Sequence, residues 1–295
     1  MKKLSTVALG AALLSAVIYA GCKKDTPATT NTNTNTTTDN DYYAAQDEAN
    51  ASFVLNDSKN ISDGAAKGQS TEKVLGAGTC GTITADSSAT TDSLDIHFTG
   101  TCPSPDGRYR SGDIIVYWTK GKGYFDSAAS ITQTWRNYSV SNPATLTKIA
   151  VSGLTNLKNT GKDSLGDHSW SYSSNVTLTY SGGTTGTSSW SATRNNVLTR
   201  VGNVWYYYVS GSATGTDKNG TTYTLAIKSP LVYTAYWINL AAGNAVCGCI
   251  EAGSETLTRT GKPYPLTLTY TSGVGNCNYT ANATINGTTF AITVL

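Results

Sequence analysis

The sequence is poor in charged side chains and in histidine. Only 14% of its 295 residues are charged, the formal net charge is +2, and the chain holds two histidines. Proteins that bind nucleic acid usually carry a strong basic excess, so this balance argues against a nucleic-acid partner. The scarcity of histidine and of convergent carboxylates disfavours an enzyme.

Sequence motifs of common catalytic and metal sites are also missing. We find no H-E-x-x-H, no G-x-S-x-G, no phosphate-binding loop and no EF-hand loop. Cys247 and Cys249 form C-x-C rather than C-x-x-C, without a second cysteine pair, so a zinc site is not expected. We therefore predict no catalytic residue, no metal and no cofactor. A pocket that gathered Asp95, His97 and Asp113 would overturn that prediction, because a paired histidine can act as a general base.

Long apolar runs are missing after the N-terminal segment. The first run, residues 7–20, has 14 residues, whereas a membrane span needs about 20. It follows two lysines and ends in VIYAGC, which resembles a bacterial lipobox that ends at Cys22. The sequence therefore predicts a lipoprotein signal peptide over residues 1–21 and lipidation at Cys22.

Lipidation would place the protein on a membrane. Each buried methylene contributes about 0.8 kcal/mol, so two or three acyl chains on Cys22 would form a durable anchor. The residues that follow, Lys23, Lys24 and Asp25, resemble the surface-export signal of Bacteroidetes lipoproteins. We expect a lipid-anchored outer-membrane protein that is exposed at the cell surface, with a periplasm-facing protein as the alternative.

The segment after the anchor has almost no apolar side chain. Residues 26–41 read TPATTNTNTNTTTDND, which cannot repay the entropy of folding, so residues 22–41 are predicted to form a lipidated flexible tether. Apolar residues then recur at helical spacing, and Asp41 is a candidate N-cap. A helix that ends near Ser58 is expected within a helix-and-linker segment, 42–78. The face that it packs on the core comprises Tyr42, Ala45, Ala49 and Phe53.

From residue 79 onward the apolar period changes to two. In the segment LTLTY, residues 266–270, apolar residues alternate with threonine, which is typical of a strand with one buried face. Three dipeptides typical of hairpin turns recur between such segments: Asp106-Gly107, Asn219-Gly220 and Asn286-Gly287. About a dozen strands without intervening helices predict an all-β domain over residues 79–295. Its expected form is a large antiparallel meander, folded as a sandwich or an open barrel.

Two parts of this β region resemble each other. CGTIT at residues 80–84 and CGCIE at residues 247–251 each lead through a turn and an alternating strand to an aromatic residue, a glycine and a second cysteine. Such an echo suggests pseudo-repeats over about 79–165 and 166–295.

Five cysteines remain once the lipidated one is set aside, so one must be left over if the others pair. Because each pair flanks neighbouring strands, we expect Cys80 to pair with Cys102, and Cys277 to pair with Cys247 or Cys249. Alignment of the two repeats favours Cys247.

Several motifs together resemble a family of Bacteroidetes outer-membrane lipoproteins. The matching segments are CGTIT, HFTGTC, PDGRYRSG, TWRNYSV and the closing run TLTYTSGVGNCNYTANATINGTTFAITVL. The resemblance covers roughly residues 40–295 and departs at Asn278, where the family usually has Asp, and at Cys249, which is extra. It implies a lipid anchor and supports Cys247 as the partner of Cys277, but it implies no known activity.

Aromatic residues on both faces of two segments are the strongest hint of a ligand. VWYYYVSG contains Trp205 and Tyr207, and YTAYWINL contains Tyr236 and Trp237. Exposed rings of this kind would form a platform on which sugars or apolar ligands stack, whereas buried rings would only fill the core.

These observations favour a non-catalytic surface module that binds or supports a glycan or another envelope component. The alternative is a periplasm-facing carrier or envelope-assembly factor that holds an apolar ligand in a curved sheet. A hydrolase is the third hypothesis.

Overall fold

The computed structural model describes residues 42–68, 80–104, 106–162, 167–235, 249–271, 273 and 279–295. The described chain forms one helix, α1 (Tyr43–Ala66), and thirteen strands. The first six strands are β1 (Gly81–Ser87), β2 (Thr91–Pro103), β3 (Tyr109–Thr119), β4 (Ser130–Asn142), β5 (Thr147–Lys162) and β6 (His168–Gly182). The next four are β7 (Gly186–Val201), β8 (Val204–Thr216), β9 (Thr222–Thr234) and β10 (Ile250–Arg259). The last three are β11 (Leu266–Tyr270), β12 (Thr280–Ile285) and β13 (Thr288–Thr293).

All thirteen strands belong to one sheet in sequential order. Each strand pairs antiparallel with the next, which confirms the predicted all-β meander. The three predicted hairpin dipeptides each lie between consecutive strands: β2–β3, β8–β9 and β12–β13. In the last of these turns Asn286 and Gly287 both have positive φ, 47° and 80°, as a two-residue turn of type I′ requires.

The sheet curls around α1. Trp135 on β4 donates a hydrogen bond to Ser58 of α1, while Trp190 and Arg194 on β7 donate to Glu48 of the same helix. β4 and β7, which are not neighbours in the sheet, therefore contact the same helix. Helix α1 is buried along nearly its whole length. Inward positions of the strands pack on α1 and outward positions face solvent, as the alternating burial of β7 illustrates.

The helix is longer and more buried than the sequence indicated. The prediction that it ends near Ser58 is wrong, because α1 continues to Ala66. The chain leaves the helix at Gly68, whose φ of 71° suits a glycine after a helix C-terminus. Ala45, Ala49 and Phe53 of the predicted apolar face pack in the core, and the partly buried Tyr42 packs against it, but the other faces of α1 are buried as well. Tyr42 occupies the N-cap position, but its side chain does not cap the helix by a hydrogen bond, and Asp41 lies outside the described residues.

Several predicted segments lie partly or wholly outside the described residues. These are the signal peptide, Cys22, the tether and most of the linker before β1. The hairpins β1–β2 and β10–β11 carry the sequence echo, while β5 and β6 pair across the proposed boundary near residue 165. The pseudo-repeats stay a prediction. In the part of the chain that is described, no helix has the length and apolar character of a membrane span.

Candidate functional site

Charged groups lie inside the sheet, where they pair α1 with the strands around it. The central cluster comprises Glu48 and Ser52 of α1 with Trp190, Arg194 and Glu255 of the sheet. The Arg194 guanidinium donates to Glu48 Oε1 at 2.5 Å and to Ser52 Oγ at 2.9 Å, and it lies 3.4 Å from Glu255 Oε1. Trp190 Nε1 donates to the second Glu48 oxygen at 2.6 Å. The side chains of Arg194 and of both glutamates are 0% exposed.

Burial shapes the electrostatics of the central cluster. Burial and the neighbouring Glu48 carboxylate raise the pKa of Glu255 to about 8, against the opposing effect of Arg194. Burial alone would lower the pKa of Arg194, but the surrounding acidic groups raise it instead. The cluster therefore holds a cation that both carboxyl groups share.

A second buried cluster surrounds Arg110 on β3. Its guanidinium contacts Asp57 of α1 at 2.9 and 3.0 Å and Asp106 at 2.6 and 3.1 Å. Burial raises the pKa of Asp57, whereas hydrogen bonds and charges from Arg110 and Arg108 outweigh burial at Asp106 and lower its pKa. This arginine therefore links the helix to the β2–β3 turn.

A third buried cluster lies near the C-terminal end of α1. Lys59 Nζ contacts Asp63 Oδ2 at 2.5 Å, and Asp63 accepts hydrogen bonds from the hydroxyls of Tyr124, at 2.8 Å, and Tyr207. The ammonium group also lies over the rings of Trp170 and Tyr207, at 4.5 and 4.4 Å from their centres. The three clusters hold the helix in place and leave its acidic groups little contact with solvent.

The predicted aromatic platform is not formed by the residues that the structure describes. Tyr207 is 2% exposed and binds Asp63 of α1, so its assignment to an exposed platform is wrong. Its side chain points inward from β8, where polar groups of α1 contact it. Trp205 is half-buried and packs against the core. Tyr236 and Trp237 lie outside the described residues.

A row of charged side chains, exposed except at the buried Asp113, crosses the outer face of β2, β3 and β4. We call Asp95, His97, Asp113 and Arg136 the outer charged row. The strand register places His97 opposite Asp113, and Asp113 opposite Arg136. His97 Nδ1 lies 2.7 Å from Asp113 Oδ1, and Arg136 binds Asp113 Oδ2 at 2.9 Å and Asp95 Oδ2 at 2.6 Å. The His97 and Arg136 side chains are 50% and 56% exposed.

A bulge brings the row together. The β3–β4 register shifts between Ser111 and Asp113, where Gly112 has a φ of 81°. A Cβ atom at Gly112 would lie only 2.2 Å from the Asn137 carbonyl oxygen, so the close approach of the two strands requires glycine. Burial would raise the pKa of Asp113, but hydrogen bonds from Arg136 and His97 outweigh burial and lower it.

The outer charged row gathers the three residues whose proximity would favour an enzyme, but on an open face. Asp113 orients the imidazole of His97, while Arg136, which sequence reasoning missed, binds both carboxylates. Among the described residues no cluster of three or more side chains suits a metal ion. The arrangement can bind a polar ligand, and it can orient His97 as a base.

A pocket of about 210 Å³ opens beside the N-terminal end of α1. We call it the rim pocket. Its lining includes Tyr43, Gln46, Asn50, Thr147, Tyr180 and Lys218. They come from α1, β5, β6 and the β8–β9 turn, so nothing in the sequence pattern places them together.

The predicted disulfide cysteines are only partly described. Cys80 is buried and disulfide-bonded, but the structure does not describe its partner. The Cys102 side chain, Cys247 and Cys277 lie outside the described residues, so both pairings stay predictions. Cys249 is buried, and the choice between Cys247 and Cys249 as the partner of Cys277 also stays a prediction.

Comparisons with protein-family models, with curated proteins and with solved structures find no match for this chain.

Proposed function

We propose that this protein is a lipid-anchored surface module of the outer membrane that binds or supports an envelope component and catalyses no reaction. The observation that carries the proposal is the position of α1, which fills the inside of the curled sheet. A ligand would therefore meet the outer face of the sheet or its rim. The lipobox at Cys22 supports the anchor.

Within the part of the chain that the structure describes, the helix inside the sheet argues against a carrier of apolar ligands. Such a carrier needs an apolar cavity of several hundred Å³. The space beside α1 that Asn56, Gln133 and Ser174 help to line measures about 10 Å³, enough for about one water molecule. Around it, packed apolar side chains and paired charges occupy the interior of the described chain.

The outer surface suits polar ligands. The outward positions of β7 carry Thr187, Ser189, Ser191, Thr193 and Asn195, all exposed. Hydroxyl and amide groups both donate and accept hydrogen bonds, as do the hydroxyls of glycans. A glycan or another envelope component is therefore the proposed partner, and nucleic acid is not.

Surface display and binding can be tested on whole cells. Cells that carry the protein should retain labelled envelope polysaccharide, and a protease added outside should remove both the protein and the retained label. Cys22→Ser cells should release the protein or keep it as uncut precursor, and should lose the label. Protein that resists the external protease on intact cells, or polysaccharide retained equally by Cys22→Ser cells, would contradict the proposal.

The outer charged row supports hydrolysis as a second candidate function. Asp113 fixes one ring nitrogen of His97, which leaves the imidazole oriented to accept a proton with the other. If this candidate is right, purified protein hydrolyses a chromogenic ester or glycoside, and His97→Gln abolishes that activity. The non-catalytic proposal predicts no turnover by either protein.

A further inference from the structure

We propose that the rim pocket binds a neutral, hydroxyl-rich ligand the size of a single sugar unit. This inference rests on the proposed binding function and names a site and a ligand class for it.

The size and lining of the rim pocket suit a polyol. Its volume of about 210 Å³ is below that of typical drug-sized sites, and a single sugar ring fits such a space. Gln46 and Asn50 contribute amides, Thr147 contributes a hydroxyl, and Tyr43 contributes an aromatic ring. Side chains of this kind recognise sugars by combining hydrogen bonds with contact to a ring face.

One buried polar group in the rim pocket has no partner at good hydrogen-bonding geometry. Tyr180 is 3% exposed, and among the described residues Asp47, Asn50 and Ser188 lie close enough to interact with its hydroxyl, but none of them is placed to form a well-directed hydrogen bond with it. Buried hydroxyls in folded proteins nearly always have a partner. Because Tyr180 lines the rim pocket, a ligand hydroxyl that enters the pocket can supply the missing hydrogen bond.

The charge balance of the rim pocket selects a neutral ligand. Lys218 Nζ lies 3.7 Å from Asp47 Oδ1 and 4.3 Å from the centre of the Tyr43 ring. Asp47 also accepts a hydrogen bond from the Lys218 backbone N–H at 2.7 Å. The ammonium group and the N-terminus of α1 would attract an anion, but the adjacent Asp47 carboxylate opposes one. A carboxylate or phosphate ligand is therefore less favoured than a sugar.

The experiment is a titration of the full chain, purified in detergent, with glucose, galactose, mannose and N-acetylglucosamine, followed by calorimetry and ligand-observed NMR. At least one sugar should bind with a Kd in the millimolar range. Tyr180→Phe removes only the hydroxyl and should weaken binding about fivefold, the size of one hydrogen bond. Its Tm should be unchanged or higher, because the orphaned hydroxyl is gone. Tyr233→Phe is the matched control: it removes another buried hydroxyl that makes no hydrogen bond with the described residues, on β9 and away from the lining of the rim pocket, and should keep full affinity.

Three results would overturn the inference. The first is that none of the four sugars binds, and the second is that Tyr180→Phe binds them as well as the parent does. The third is that acetate or phosphate binds while the sugars do not. Any of these leaves the proposed function standing if displaying cells still retain polysaccharide. Conversely, sugar binding by purified protein, without retention by cells, supports the site and contradicts the proposed surface role.

Discussion

Replacing Arg194 with methionine would remove the cation that lies between two buried glutamates. The Arg194 guanidinium is 2.5 Å from Glu48 Oε1 and 3.4 Å from Glu255 Oε1, and none of the three side chains is exposed. Removal of one partner from a buried ion pair costs about 3–5 kcal/mol, because the charge left behind has no compensation. We expect Arg194→Met to lower the free energy of unfolding at pH 7 by that amount.

The cost should depend on pH, because the glutamates can lose their charge only by binding protons. The ordinary pKa of glutamate is 4.5, so keeping one buried carboxyl neutral costs about 3 kcal/mol at pH 7 and less than about 1 kcal/mol at pH 5. In the parent protein the pKa of Glu255 is already raised to about 8, so the variant needs one further proton. The penalty of Arg194→Met should therefore shrink by about 2 kcal/mol between pH 7 and pH 5.

Urea unfolding followed by tryptophan fluorescence at the two pH values measures this penalty, with Trp190 as a probe beside the mutated position. The control is Arg200→Met on the same strand, where an exposed arginine binds only Asn203 among the described side chains. It should change stability by less than about 0.5 kcal/mol. An Arg194→Met penalty below about 1 kcal/mol at pH 7, or an equal penalty at both pH values, would refute the role assigned to the central cluster.

Two further predictions follow from the packing inside the sheet and from the bulge. Since the folded state holds the Glu255 proton up to about pH 8 and the unfolded state only to 4.5, Glu255 should make stability fall as pH rises through that window. The free energy of unfolding of Glu255→Gln, measured relative to the parent in urea titrations, should therefore rise by on the order of 2–4 kcal/mol between pH 5 and pH 8. A difference between the two proteins that stays the same across this range would contradict the prediction. Gly112→Ala should cost at least about 2 kcal/mol, because its Cβ would overlap the Asn137 carbonyl. Gly107→Ala, with a similar φ of 78° and open space around it, should cost about 1 kcal/mol, and equal losses would exclude the steric argument.

The strands could be predicted from the sequence because their determinants are local. Alternation of apolar and polar residues marks a half-buried strand, and dipeptides such as Asn286-Gly287 specify a tight turn by their positive φ. When short turns join the strands, strands that are consecutive in the sequence also pair in the sheet. The antiparallel meander therefore follows from patterns only a few residues long.

The outer charged row could be predicted only in part. Asp95 and His97 are two residues apart on one strand, so alternation alone places them on the same face. Asp113 and Arg136 join them through the register of β3 and β4, and that register depends on the bulge at Gly112. A shift of one residue would send these side chains to the opposite face, and no local pattern in the sequence excludes such a shift.

The burial of α1 was the hardest feature to predict, because its polar residues are those of an exposed helix. The missing information lies in the strands: β7 carries Arg194 and Asn196 at the same inward phase as Trp190 and Leu198. A buried charge on a strand requires a partner of opposite charge. Acidic residues of the helix, Glu48 among them, are the partners of the cations on the sheet, and those cations are the partners of the acids. The burial of each charge can therefore be understood only when the helix and the sheet are placed together. This mutual dependence is why an apolar face could indicate a helix but not its position inside the sheet.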